Sequence, residues 1–82
     1  MRLSQLLEQE DFRRAEICII GRYKTEMNEY FVLARAGQSA FPPPKIYHLI
    51  LFSLGDDDPE IEPEEMASIR RRFRLDKQEY RI

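Results

Sequence analysis

Leu3, Leu6 and Leu7 stand at i, i+3 and i+4 among Ser4, Gln5, Glu8 and Glu10, the apolar stripe of a short amphipathic helix with an acidic outer face. From Ala15 the period changes. Ala15 to Lys24 is rich in β-branched residues and predicts a strand, and Glu29 to Arg35 predicts a second. Thr25 to Asn28 then forms the four-residue connection of an antiparallel hairpin, with Asn28 the residue able to turn left-handed. Residues 36–44 end in Pro42, Pro43 and Pro44, which fix φ and remove donors, so this segment is read as an extended crossing loop. Lys45 to Leu54 is the most apolar stretch and is expected to be the third strand, at the centre of the sheet.

Residues 55–62 form an acidic loop, and Glu62 to Phe73 has the grammar of a helix: Pro63 at its first turn, acids behind it, and Met66, Ile69 and Phe73 at i, i+3 and i+7. Residues 74–82 either continue that helix or turn at Asp76-Lys77 into a short strand in which Tyr80 and Ile82 share a face; the strand is the preferred reading. The expected fold is a single α+β domain over 1–82, a three-stranded antiparallel sheet in the order α-β-β-β-α with a terminal strand as an addition. Period-two alternation makes both faces of that sheet apolar, since each strand splits its apolar residues: Ile17 and Ile19 from Cys18 and Ile20, Tyr30 and Val32 from Phe31 and Leu33, and Ile46, Ile50 and Phe52 from Tyr47, Leu49 and Leu51. Two short helices cover one face. Either they lie on opposite faces or a second subunit covers the other, and the second alternative, a homo-oligomer of dimer type, is preferred because so large an apolar patch is rarely left to solvent.

At 82 residues, 43% hydrophobic and 34% charged, the chain has the composition of a small soluble domain near the lower size limit for one core. Its longest apolar run, Ile46 to Phe52, is interrupted by His48 and falls far short of the roughly 20 residues of a membrane span. The N-terminal leucines run directly into Glu8, Glu10 and Asp11, unlike a secretory segment, and the expected compartment is the cytoplasm. Cys18 is the lone cysteine, which excludes a disulfide or a Cys-based zinc site within one chain and reads as an inert buried thiol.

The net charge of -2 conceals an asymmetry: residues 1–55 carry seven bases and six acids, 56–65 seven acids and no base, 66–82 six bases and two acids. Acids leading into a helix and arginines leaving it both oppose the macrodipole, which accounts for the block structurally. The remaining reading is recognition. Phe41, Pro43, Arg70, Arg71, Arg74 and Tyr80 are the candidate protein-binding residues. In the alternative, Arg70, Arg71, Arg72, Arg74 and Arg81 contact nucleic-acid phosphates, against the repulsion of the adjacent acids. The acid run lacks the alternating ligands and central glycine of a calcium loop. His48, within the apolar strand, reads as a hydrogen-bonded core or interface residue. No catalytic residue, metal, cofactor or small-molecule substrate is indicated.

In element type alone, an N-terminal helix joined to a sheet with Arg70, Arg71, Arg72, Arg74, Tyr80 and Arg81 near the end is similar to the RelE and ParE class of small bacterial toxins. That likeness implies RNA cleavage by those residues. The chain departs from the class in being acidic and in having no second long N-terminal helix. The preferred reading is a small regulatory or accessory protein–protein interaction module that self-associates and has no catalytic activity of its own. The alternative is a nucleic-acid-directed protein, binding RNA or cleaving it as a toxin-like ribonuclease.

Overall fold

The computed structural model describes residues 1–76. Two short helices, α1 (Leu3–Leu7) and α2 (Glu10–Arg14), precede three strands, β1 (Ile17–Lys24), β2 (Glu29–Arg35) and β3 (His48–Phe52), and a longer helix, α3 (Pro63–Arg72), follows them. The expected N-terminal helix is thus two pieces, broken at Glu8-Gln9, where the Gln9 N–H turns back to the Leu6 carbonyl at 3.0 Å. The expected terminal strand, with Tyr80, Arg81 and Ile82, lies outside the described residues.

The sheet is an antiparallel meander in the order β1-β2-β3. Its centre is β2, not the third strand: four consecutive residues, Phe31 to Ala34, are buried there, whereas β3 alternates buried Ile50 and Phe52 with exposed Leu49 and Leu51. High apolarity in β3 therefore marks an edge strand with one uncovered apolar face. This strand also starts later than the apolar run, at His48, and the Lys45 and Tyr47 carbonyls just before it accept from the Arg72 guanidinium. The hairpin bounds fall where the alternation stops. Its tip closes through the Thr25 N–H to the Asn28 carbonyl at 2.8 Å and the Asn28 N–H to Thr25 Oγ1 at 3.0 Å, with no left-handed residue at Asn28; among the described residues the non-glycine positions of positive φ are Glu16 and Arg74.

A bulge between Ile19 and Gly21 changes the face to which the second half of β1 points. Phe31 pairs with Arg22 and Ile50, Val32 with Gly21 and Leu49, and Tyr30 with Tyr23 and Leu51. One sheet face thus carries Ile17, Phe31, Leu33, Ile50 and Phe52, and these join Leu3, Leu6, Phe12, Ile61, Ile69 and Phe73 in one core. Every helix packs on that face. Of the expected α3 stripe, Ile69 and Phe73 are fully buried and Met66 borders the core. The two alternatives for the helices are resolved in favour of a single covered face.

Candidate functional site

The acid loop is spent largely on holding the N-terminus. Leu3 N–H reaches the Pro59 carbonyl at 2.9 Å and Ile61 N–H the Met1 carbonyl at 2.7 Å, so residues 1–3 and 59–61 lie side by side. Asp58 accepts the Ser4 N–H at 2.8 Å and the Ser4 hydroxyl at 2.7 Å, satisfying an orphan donor of α1 from across the chain. The Met1 ammonium pairs with Glu60. The Ser4 N–H first, then its hydroxyl, hold the Asp58 carboxyl below the usual range, and the Met1 ammonium does the same for Glu60. Folded-state values below the unfolded ones mean stabilisation that is present at neutral pH and lost as pH falls through the folded pKa. The thermal midpoint is therefore expected to fall between about pH 5 and pH 3, and Asp58→Asn, which keeps one acceptor but no charge, should flatten that slope. Parallel slopes for the two proteins would remove Asp58 from this role.

A second acid, Glu29, is fully buried. It accepts Arg22 Nε at 2.9 Å and the Gly55 N–H at 3.1 Å, while Arg22 also bonds Asp57 at 2.8 Å and lies over the Phe31 ring at 4.9 Å. The Asp57 hydrogen bond, opposed by desolvation and reinforced by the charge of Glu29, makes Arg22 hold its proton more firmly than usual. Gly55 can receive this contact because its φ of 83° suits glycine.

The arginine block divides by direction around α3. Arg70 turns inward, bonding Asp11 through Nε at 2.8 Å above the Phe12 ring. Arg72 turns to β3, its Nε on the Tyr47 carbonyl at 2.8 Å and its NH2 on the Lys45 carbonyl at 3.2 Å. Arg71 and Arg74 are exposed, and no ion pair or hydrogen bond engages their side chains among the described residues. His48 bonds Glu65 at 2.5 Å and joins β3 to α3. Tyr80 and Arg81 fall outside the described residues.

The face of the sheet opposite the helices is one that no helix among the described residues covers. Its residues are Cys18, Gly21, Tyr23, Tyr30, Val32, Ala34, Leu49 and Leu51. The crossing loop covers one part: a side chain at Gly21 would meet the Ala40 Cβ at 2.9 Å, so glycine there permits the loop to lie on the sheet. Beside this contact Phe41 and Pro43 join Val32, Tyr47 and Leu49 around a groove of about 500 Å³. Phe41 stands out at 87% exposure, with Leu51 at 59%, Tyr23 at 55% and Leu49 at 43%. Tyr23 and Tyr30 are in ring contact at 5.6 Å. Cys18 is half-buried here, rather than enclosed.

The sequence pointed to Phe41 and Pro43, and the structure sets them at the rim of this face; Arg70 and Arg71 lie on α3 and Arg74 just past its end, away from it. Tyr23, Tyr30, Leu49 and Leu51 were not among the candidates, although the alternation within each strand had already made both faces of the sheet apolar. No helix among the described residues is long and apolar enough to cross a membrane. Comparison with protein-family models, curated proteins and solved structures found no match to the chain.

Proposed function

We propose that the protein is a small protein–protein interaction module, regulatory or accessory in kind and cytoplasmic, that pairs with a second copy of itself through the open face of its sheet. The observation that carries this reading is the contiguous, uncharged set Tyr23, Tyr30, Leu49, Leu51 and Phe41 on the side away from every helix. Together their exposed side chains present on the order of 500 Å² of mainly apolar surface, as large as monomers usually leave to water and more than half of one side of a standard interface. A second copy fits it for two reasons. None of the strand residues of the face is charged, and Arg22 at its groove is paired with Glu29 and Asp57. Apposing the face to itself therefore brings no unpaired like charges together, and two open sheets stack face to face about 10 Å apart with interdigitating side chains. A two-fold contact of this kind closes on itself and leaves no free copy of the patch.

Mass by sedimentation equilibrium tests it. The wild-type chain is expected at twice its mass at micromolar concentration. Leu51→Glu, at an exposed position, should give the single-chain mass with an unchanged circular dichroism spectrum, its dimer at least 100-fold weaker, as roughly expected for burying two unpaired carboxylates. A single-chain mass for the wild type up to about 100 μM, well above the micromolar range a face this size would support, would sink the reading. One observation favours the nucleic-acid alternative: Arg71 and Arg74 are exposed with no partner among the described residues. Binding of an RNA that falls steeply with salt and disappears in Arg71→Glu/Arg74→Glu would support it.

A further inference from the structure

The two edges of the sheet are unlike. β1 is blunted by its bulge and by Arg22 and Lys24 in its outer half, the usual devices against edge pairing. β3 has neither. Its five residues, His48, Leu49, Ile50, Leu51 and Phe52, contain no proline, no bulge and no formal charge other than what His48 can acquire. On one side β3 pairs with β2; among the described residues no hydrogen bond reaches its backbone from the other side. Half of its N–H and C=O groups therefore face outward with no partner among the described residues.

α3 meets the start of that edge, tied to its first residue by the His48–Glu65 bond at 2.5 Å and to the segment just before it by Arg72 on the Tyr47 and Lys45 carbonyls. Between strand and helix lies a groove of about 520 Å³ lined by Tyr47, His48, Leu49, Ser68, Arg71 and Arg72. The donors here are directed but not exhausted. Among the described residues Arg72 uses Nε and NH2 and retains NH1, Arg71 is unengaged, and Ser68 offers a hydroxyl. Glu65, the acid nearest in sequence to Ser68, already accepts His48.

We propose that this groove takes an extended peptide segment of a partner protein, which adds to the outer edge of β3 as a fourth strand and sets an acidic side chain against Arg71 and Arg72. Strand addition supplies affinity through the backbone ladder and leaves specificity to flanking pockets. An exposed edge beside a helix offers both, and the pinned Arg72 guanidinium is oriented before a carboxylate arrives. A peptide rather than a nucleic acid is the occupant, because the outward N–H and C=O pattern of β3 matches another peptide backbone. This surface shares Tyr47 and Leu49 with the groove of the open face, but its backbone edge and arginines lie outside that face and do not require the dimer.

Panning the full-length protein against a random peptide library tests the proposal. Selected sequences should alternate β-branched or aromatic residues with polar ones and carry Asp or Glu near one end. The same panning on Arg71→Glu should lose the acid preference. A selected peptide N-methylated at alternate amides, in the phase that blocks the ladder, should bind about tenfold or more weakly, since several backbone hydrogen bonds are removed at once. Equal binding of both N-methylated phases would overturn strand addition. Recovery of no sequence above background, an acid preference indifferent to Arg71, or tighter capture of oligouridylate than of any selected peptide would overturn the assignment of the groove.

Discussion

Glu29→Ala is expected to lower the unfolding free energy by about 3 kcal/mol, the lower end of the range for breaking a buried ion pair. The carboxylate is fully buried and satisfies three donors, Arg22 Nε and NH2, both at 2.9 Å, and Gly55 N–H at 3.1 Å. Removing it orphans the Gly55 donor and leaves Arg22 above the Phe31 and Phe52 rings without its inner partner. The guanidinium keeps Asp57 and is 39% exposed, which allows water to take up part of the loss. Glu29→Gln retains an acceptor and should cost about half as much. For a domain this small such a loss is a large share of the total, and the thermal midpoint should fall by about 15 °C in Glu29→Ala. Urea denaturation with an unchanged m-value checks that the native state itself is weakened. A change under about 1 kcal/mol would show that the pair and the Gly55 contact are dispensable.

How far the chain could be read in advance depended on whether a feature was local. The hairpin bounds at Lys24 and Glu29 were legible because period-two alternation stops at a polar tip, and α3 because its proline, acids and i, i+3, i+7 stripe all agree. The placement of β3 failed for a physical reason that bears on function. An apolar strand is expected to be central when both its faces are buried, but Leu49 and Leu51 belong to a face that no helix reaches. The same residues that misplace the strand make the candidate contact surface. The acid run could not be read as a clamp, since Asp58 on Ser4 and Glu60 on Met1 join residues more than fifty positions apart. The arginine block was legible only to the extent that helical geometry forbids all of its members from sharing one surface. Which of them is engaged was decided by Asp11, which holds Arg70, and by the carbonyls of Lys45 and Tyr47, which hold Arg72.

Phe12→Ala carries the largest expected loss of stability, about 4 kcal/mol, from the ordinary cost of truncating a buried phenylalanine. Phe12 escapes the leucine stripe of α1 because the chain breaks at Glu8-Gln9 and restarts the helical phase in α2. It is the sole buried residue of that five-residue helix. So short a helix has no stability of its own and depends on this side chain for its place. The ring also supports Arg70, whose guanidinium lies 5.1 Å above it while bonding Asp11, so the substitution loosens the link between α2 and α3 as well as leaving a cavity. Arg70→Ala breaks that link while sparing the ring and should cost only about 1 kcal/mol, as a partly exposed pair does. Denaturation of both variants separates the two contributions. Amide exchange should show α2 losing protection first in Phe12→Ala, and a Phe12→Ala loss no greater than that of Arg70→Ala would mean that the ion pair, not the ring, anchors the helix.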